Sequence, residues 1–153
     1  MLKLCTLSDE AEWLEMNKEF IKMEYMDENV WENPLSKGKF PEEFREIVQE
    51  PSSANRIYIV EEDGQAIGFM NTATFFSFWS HGKALFLDDF FIREKYRGKG
   101  HGKRALSELE KIAKEDGYVR LQLMAEYTNP RAVKFYEQAG YGKQEINFLC
   151  KYL

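Results

Sequence analysis

The stretch that most constrains this chain runs from Ala84 to Ala105, "ALFLDDFFIREKYRGKGHGKRA". Its opening residues are nearly continuous apolar sequence interrupted only by Asp88 and Asp89, the pattern of a central strand covered on both faces. Gly98, Gly100 and Gly102 follow, and then Ala105, Leu106, Leu109, Ile112 and Ala113 recur at helical spacing up to Gly117, a good helix terminator. A buried strand that passes through glycines into an amphipathic helix commits the chain to an α/β arrangement. It also creates an anion site, because the first amides of a helix have no intrahelical partner and the helix dipole adds partial positive charge there. The flanking Arg97, Lys99, Lys103 and Arg104 make this loop basic inside a chain of formal net charge -5. That overall balance argues against general nucleic-acid binding, so the local positive charge serves something small.

The remaining sequence supplies the other layers. Ser8, Asp9 and Glu10 open a helix in which Trp13, Leu14, Asn17, Phe20, Ile21 and Tyr25 share a face. Pro41 suits the first position of a second helix, which must stop before Pro51. Ile57 to Val60 and Ala66 to Phe78 read as strands joined by a two-residue turn at Asp63-Gly64, with Gly82 marking the next turn. Val119 to Met124 reads as a short buried strand. Asn129 caps, Pro130 opens and Gly140 closes a last helix carrying Ala132, Phe135, Tyr136 and Ala139 on one face, and "NFLCKYL" predicts a final strand. The 153 residues hold no repeat or internal linker, so the reading is a single domain over 1–153. Its expected fold class is α/β (α+β), one mixed, mostly antiparallel sheet of six to seven strands with helices on both faces.

No run of about 18 apolar residues is present, and the first residues lack the pattern of a signal peptide, which predicts a cytoplasmic chain without membrane contact. Cys5 and Cys150 match no metal-ligand spacing and read as small buried hydrophobes, while His81 and His101 stand alone, so no metal is expected.

Three phosphate-loop patterns compete at Gly98 to Gly102. A Walker loop would need glycine where Lys103 stands, followed by Ser or Thr; the dinucleotide fingerprint would need its third glycine one position later. What remains is R-x-x-G-x-G from Arg97 to Gly102, which resembles the pyrophosphate loop of the GCN5-related N-acetyltransferases (GNAT). "NPRAVKFYEQAGY" resembles that family's second signature, N-x-x-A-x-x-F-Y-x-x-x-G-[FY], through Asn129, Ala132, Phe135, Tyr136, Gly140 and Tyr141. Among its branches the diamine (spermidine/spermine) acetyltransferases are most similar, through "LDDFFIREKYRGKGHG" and "EYMDENV". Asp88 stands where that branch has a glutamate, Met23 where it has a tyrosine, and Phe78 to His81 lack its acidic residue.

The resemblance implies a sheet splayed between the fourth and fifth strands, acetyl-CoA as cosubstrate, and a homodimer. It places the cofactor on Phe90, Phe91 and Ile92 through their backbone, on Arg97, Gly98, Lys99, Gly100, His101, Gly102 and Lys103 around the pyrophosphate, and on Asn129, Ala132 and Tyr136. The implied function is direct acetyl transfer, within a ternary complex, to the primary amine of a small cationic acceptor. A phenol with a pKa about 10 stays protonated at neutral pH, which makes Tyr136 the expected general acid for the departing thiolate. The acceptor amine is mostly protonated at pH 7, so a carboxylate must bind it and take its proton; Asp88 and Glu24 are the expected pair. Successive strand residues point to opposite faces, so only one of Asp88 and Asp89 faces the cleft unless a bulge intervenes. Alternative readings are an aminoglycoside, an amino acid or a protein N-terminal amine as acceptor, or a non-catalytic acyl-CoA-binding sensor.

Overall fold

The computed structural model describes residues 1–25, 38–50, 53–149 and 151. The elements are β1 (Leu2–Leu4), α1 (Glu10–Tyr25), α2 (Phe40–Gln49), β2 (Asn55–Glu62), β3 (Gln65–Ser77), β4 (Gly82–Ile92), α3 (His101–Glu115), β5 (Arg120–Leu123) and α4 (Pro130–Gln138), with short 3-10 turns at Leu7–Asp9 and Glu94–Tyr96. The chain divides into two compact units, Met1–Leu123 and Met124–Leu153.

The first unit is built on a sheet of order β1-β2-β3-β4-β5. Three antiparallel pairings join β1 to β4, and β5 lies parallel to β4. That parallel pair requires a crossover, which α3 provides. The turn between β2 and β3 sits at Asp63 and Gly64, both at positive φ (50° and 73°), as a primed two-residue hairpin demands. Ile57, Ile59, Phe69 and Phe91 face α1 and α2 and pack with Cys5, Trp13, Met16 and Phe44. Rings touch directly, Trp13 with Phe44 at 5.2 Å and Phe69 with Phe91 at 5.7 Å between centroids. Residues at alternate positions, Tyr58, Val60, Met70, Leu85 and Leu87, are buried as well, and the apolar stripe of α3 (Ala105, Leu106, Leu109, Ala113) is buried with them. Helices thus cover both faces, as the sequence predicts.

The second unit contains α4. Asn129 Oδ1 accepts the Ala132 N–H at 3.1 Å, so the expected N-cap forms, and Gly140 turns the chain at φ 94° after the last turn.

Five strands stand among the described residues where six to seven are expected. The described part of the expected C-terminal strand "NFLCKYL" is not one: residues 142–149 form no regular secondary structure, and Ile146, Phe148 and Leu149 are exposed, while Cys150, Tyr152 and Leu153 lie outside the described residues. An alternating pattern gives a segment strand propensity, but a strand exists only where a neighbour completes its ladder.

Candidate active site

The glycine loop leaves β4 through the 3-10 turn at Glu94–Tyr96 and enters α3. Gly98 and Gly100 have φ of 75° and 83°, in the left-handed region that L side chains rarely adopt, and Gly100 is the N-cap of α3. The first helical bond is donated by Arg104 N–H to the Gly100 carbonyl at 3.1 Å. The amides of His101, Gly102 and Lys103 therefore precede the helical ladder and point out of the helix end. A Cβ placed on Gly98 or Gly100 would meet nothing within 4 Å, so the space in front of these peptides is open. Open main-chain amides at a helix N-terminus with positive dipole are the donor set a diphosphate needs. The loop fits that group.

Its basic side chains divide into two kinds. Arg97 turns inward: Nε donates to the Ile92 carbonyl at 2.6 Å, Nη2 to Met23 Sδ at 3.2 Å, and the guanidinium lies 5.6 Å from the Phe91 ring centroid. Arg104 Nη2 lies 2.9 Å from both Glu62 oxygens and 2.8 Å from His101 Nδ1, and Tyr96 OH donates to Gln65 Oε1 at 2.8 Å. These bonds fix the loop on β2 and β3. Lys99 and Lys103 are exposed and carry the remaining positive charge.

Beyond Leu87 the edge of β4 changes. The parallel ladder pairs Ala84 to Leu87 with Arg120 to Leu123 and then stops, whereas β4 continues to Ile92 along β3. The ladder stops there because β5 itself ends at Leu123, so β4 runs on past its parallel neighbour. Arg93 N–H donates to the Ile67 carbonyl at 2.9 Å, and antiparallel alternation from that pair turns the main-chain groups of Phe91 toward β3 and those of Phe90 and Ile92 toward the β5 side. Of the three residues expected to present backbone, Phe90 and Ile92 thus turn their main-chain groups away from β3 and Phe91 does not, and the Ile92 carbonyl is taken by Arg97.

The bulge that would reconcile the two carboxylates is also present. Asn71 is opposite Asp89 and Thr72 opposite Leu87, leaving Asp88 as an extra residue on β4. Strict alternation fails across it, and the local twist increases. Asp89 shares the α1-side face with Phe91 and accepts from Asn71 Nδ2 at 2.7 Å; Asn71 Oδ1 in turn accepts from Trp13 Nε1 at 3.2 Å. Partial burial holds the Asp88 carboxyl above its ordinary value, although the residue keeps solvent exposure.

In the second unit, Tyr136 lies between the rings of Phe135 and Tyr141, at 5.0 and 5.8 Å, and burial pushes its phenol up to about 12. It stays protonated at neutral pH. Asn129 spends its side-chain oxygen on the cap of α4. Burial likewise pushes the Cys5 thiol up to about 12, and it is a free cysteine in the core. Among the described residues no group of three or more His, Cys, Asp or Glu is arranged to hold a metal, and no helix is long and apolar enough to cross a membrane. Glu24 belongs to the last turn of α1; its side chain, residues 26–37 and Cys150 lie outside the described residues.

Two features escape a reading of the sequence. One is the inward turn of Arg97, whose partners Met23 and Ile92 are fixed by tertiary packing. The other is the Trp13, Asn71 and Asp89 relay, signalled only by an amide, Asn71, inside the strand stretch "GFMNTATFF".

The profile of the acetyltransferase (GNAT) family matches residues 14–141. The N-acetyltransferase YhfO of Bacillus subtilis, described as uncharacterised, is 39% identical over 85 residues, 56% of this chain and 57% of its own. L-ornithine N5-acetyltransferase NATA1 of Arabidopsis thaliana is 38% identical over 58 residues, 38% of this chain and 25% of its own. These matches thus span little more than half, and a quarter, of the relatives' lengths. In fold, an aminoglycoside acetyltransferase from an uncultured soil metagenomic sample, solved with sisomicin, superposes with a TM-score of 0.77 at 11% identity over 100% of this chain and 96% of its own.

Proposed function

Because this chain belongs to the acetyltransferase (GNAT) family, we propose that it transfers the acetyl group of acetyl-CoA to the primary amine of a small cationic, polyamine- or diamine-like acceptor by direct transfer in a ternary complex. The observation that carries the reading lies in the first unit: β4 runs on past the end of β5 after Leu87, bears two adjacent acids at a bulge, and continues into a helix N-terminus opened by Gly98 and Gly100.

Bound acetyl-CoA supplies the acetyl group on an activated thioester. The amides from Gly98 to Lys103 hold the diphosphate, with Lys99 and Lys103 adding charge. Phe90 and Ile92 turn main-chain groups toward the pantetheine arm, and a fixed donor there polarises the thioester carbonyl. Asn129 and Ala132 contribute through their place in the second motif. Asp88, whose carboxyl is held above its ordinary value, binds the acceptor ammonium with Glu24 and accepts its proton. Tyr136 donates a proton to the thiolate.

The relative NATA1, by its name, acetylates the side-chain amine of ornithine, which supports an amino acid as the second acceptor class. We further propose that residues 1–153 form one cytoplasmic acetyltransferase domain that works as a homodimer.

One experiment tests the activity: thermal shift with acetyl-CoA and CoA, followed by thiol release against diamines, polyamines, ornithine, lysine and aminoglycosides. Stabilisation by both coenzyme forms with turnover on a diamine or polyamine is expected. Stabilisation without turnover on any amine indicates a coenzyme sensor, and no stabilisation overturns the reading.

A further inference from the structure

A β-bulge is free to slide along a strand unless something fixes which residue is extra, and the position of Asp88 on β4 depends on that choice. Here Asn71, directly opposite on β3, donates from Nδ2 to Asp89 Oδ2 at 2.7 Å, immediately after the extra residue. The orientation of the amide is set from the other side, since Trp13 Nε1 donates to Asn71 Oδ1 at 3.2 Å. An indole has no acceptor, so only the amide oxygen can face it, and the NH2 must then face the carboxylate. Trp13 cannot drift, because it is only 5% exposed and its ring packs on Phe40, Phe44 and Phe69. The relay therefore ties α1 to β3 and β3 to the residue that closes the bulge.

We propose that Asn71, oriented by Trp13, is a positioning residue that locks the bulge on β4 so that Asp88, and no neighbouring residue, is the one displaced from the ladder just past the end of β5. The inference rests on the acceptor reading for what Asp88 does, but not for where Asp88 is held. Asn71→Leu removes both polar contacts at similar size. Asn71→Asp keeps an acceptor for the indole and replaces the donor toward Asp89 with a second carboxylate, so it breaks the lock with the least change of shape. Trp13→Phe keeps most of the ring packing and releases only the amide orientation.

The test has two readouts. Carboxyl titration of Asp88 by 13C NMR on the free protein is expected to move from its wild-type midpoint in Asn71→Leu and Asn71→Asp, downward in the leucine variant as burial is lost, and less in Trp13→Phe. With the best amine from the panel, acceptor kcat/KM is expected to fall by about tenfold or more in both Asn71 variants, while coenzyme affinity stays within about twofold. An Asp88 midpoint unchanged in both Asn71 variants overturns the proposal whatever the rates do. So does a loss of coenzyme affinity that matches the loss of kcat/KM, since that marks general loosening. If the wild-type protein acetylates no amine, the acceptor reading falls alone, and the titration decides the role of Asn71. If Asn71→Leu fails to fold, Asn71→Asp decides.

Discussion

Tyr136 and Asp88 are shifted in the same direction by the same cause, yet the consequences differ. For the phenol, burial removes any alkaline ionisation from the working range, since the group is pushed up to about 12. Tyr136→Phe is therefore expected to lower turnover by about 10²-fold or more, the range of a lost general acid, with coenzyme affinity unchanged; steady-state kinetics beside a direct binding titration check it. For Asp88 the raised carboxyl makes a statement about stability. The folded chain holds that proton more tightly than the unfolded chain, so the group's contribution is fully present below the unfolded value and is lost as pH rises through the folded value. Asp88→Asn, which cannot ionise, is accordingly expected to match the wild type in acid and to become the more stable of the two above that window, read as melting temperature against pH. A melting curve that shows the reverse order at neutral pH contradicts the burial of this carboxyl.

At the scale of elements, the proposed coenzyme site is a junction: the end of β4, a 3-10 turn, and the start of α3. Its chemistry is mostly main chain, because Arg97 and Arg104 are spent on holding the loop in shape. Gly100→Ala tests this. Holding an L residue at φ 83° costs about 1–2 kcal/mol, and the new Cβ projects into the open space that the amides face. Coenzyme affinity is expected to fall by about tenfold or more, alongside the loss in stability. Gly117→Ala, at φ 75° past the end of α3, carries similar strain away from the loop and is the control. It is expected to lose stability and keep coenzyme affinity, as read by thermal denaturation and calorimetry. Equal affinity loss in both variants removes the special role of the loop. A further close approach supports the same junction: a Cβ on Gly68 would stand 2.2 Å from the Phe91 carbonyl, so only glycine lets β3 run this tightly against the end of β4.

Across the whole molecule, the acidic balance and the basic loop belong to one logic. The net charge of -5 is spread over solvated faces, and many cations are paired with it, Arg93 to Glu12 and Glu19, Arg45 to Glu10, Arg56 to Asp116. Each such pair is partly exposed and contributes little stability by itself. Their arrangement leaves Lys99 and Lys103 exposed at the helix end where an anion is wanted. The sequence by itself determined the order of the helices and of strands β2 to β5, the caps and turns set by Asn129, Pro41, Gly117 and Asp63-Gly64, and the glycine loop, because these follow from local periodicity and backbone sterics within a few residues. Only the tertiary structure decided the rest. A bulge at Asp88 depends on which residue of β3 lies opposite, the inward turn of Arg97 depends on Met23 lying near in space, and a C-terminal strand exists only where a sheet edge accepts it. Those outcomes are set by partners distant in the chain, and no local pattern of residues encodes them.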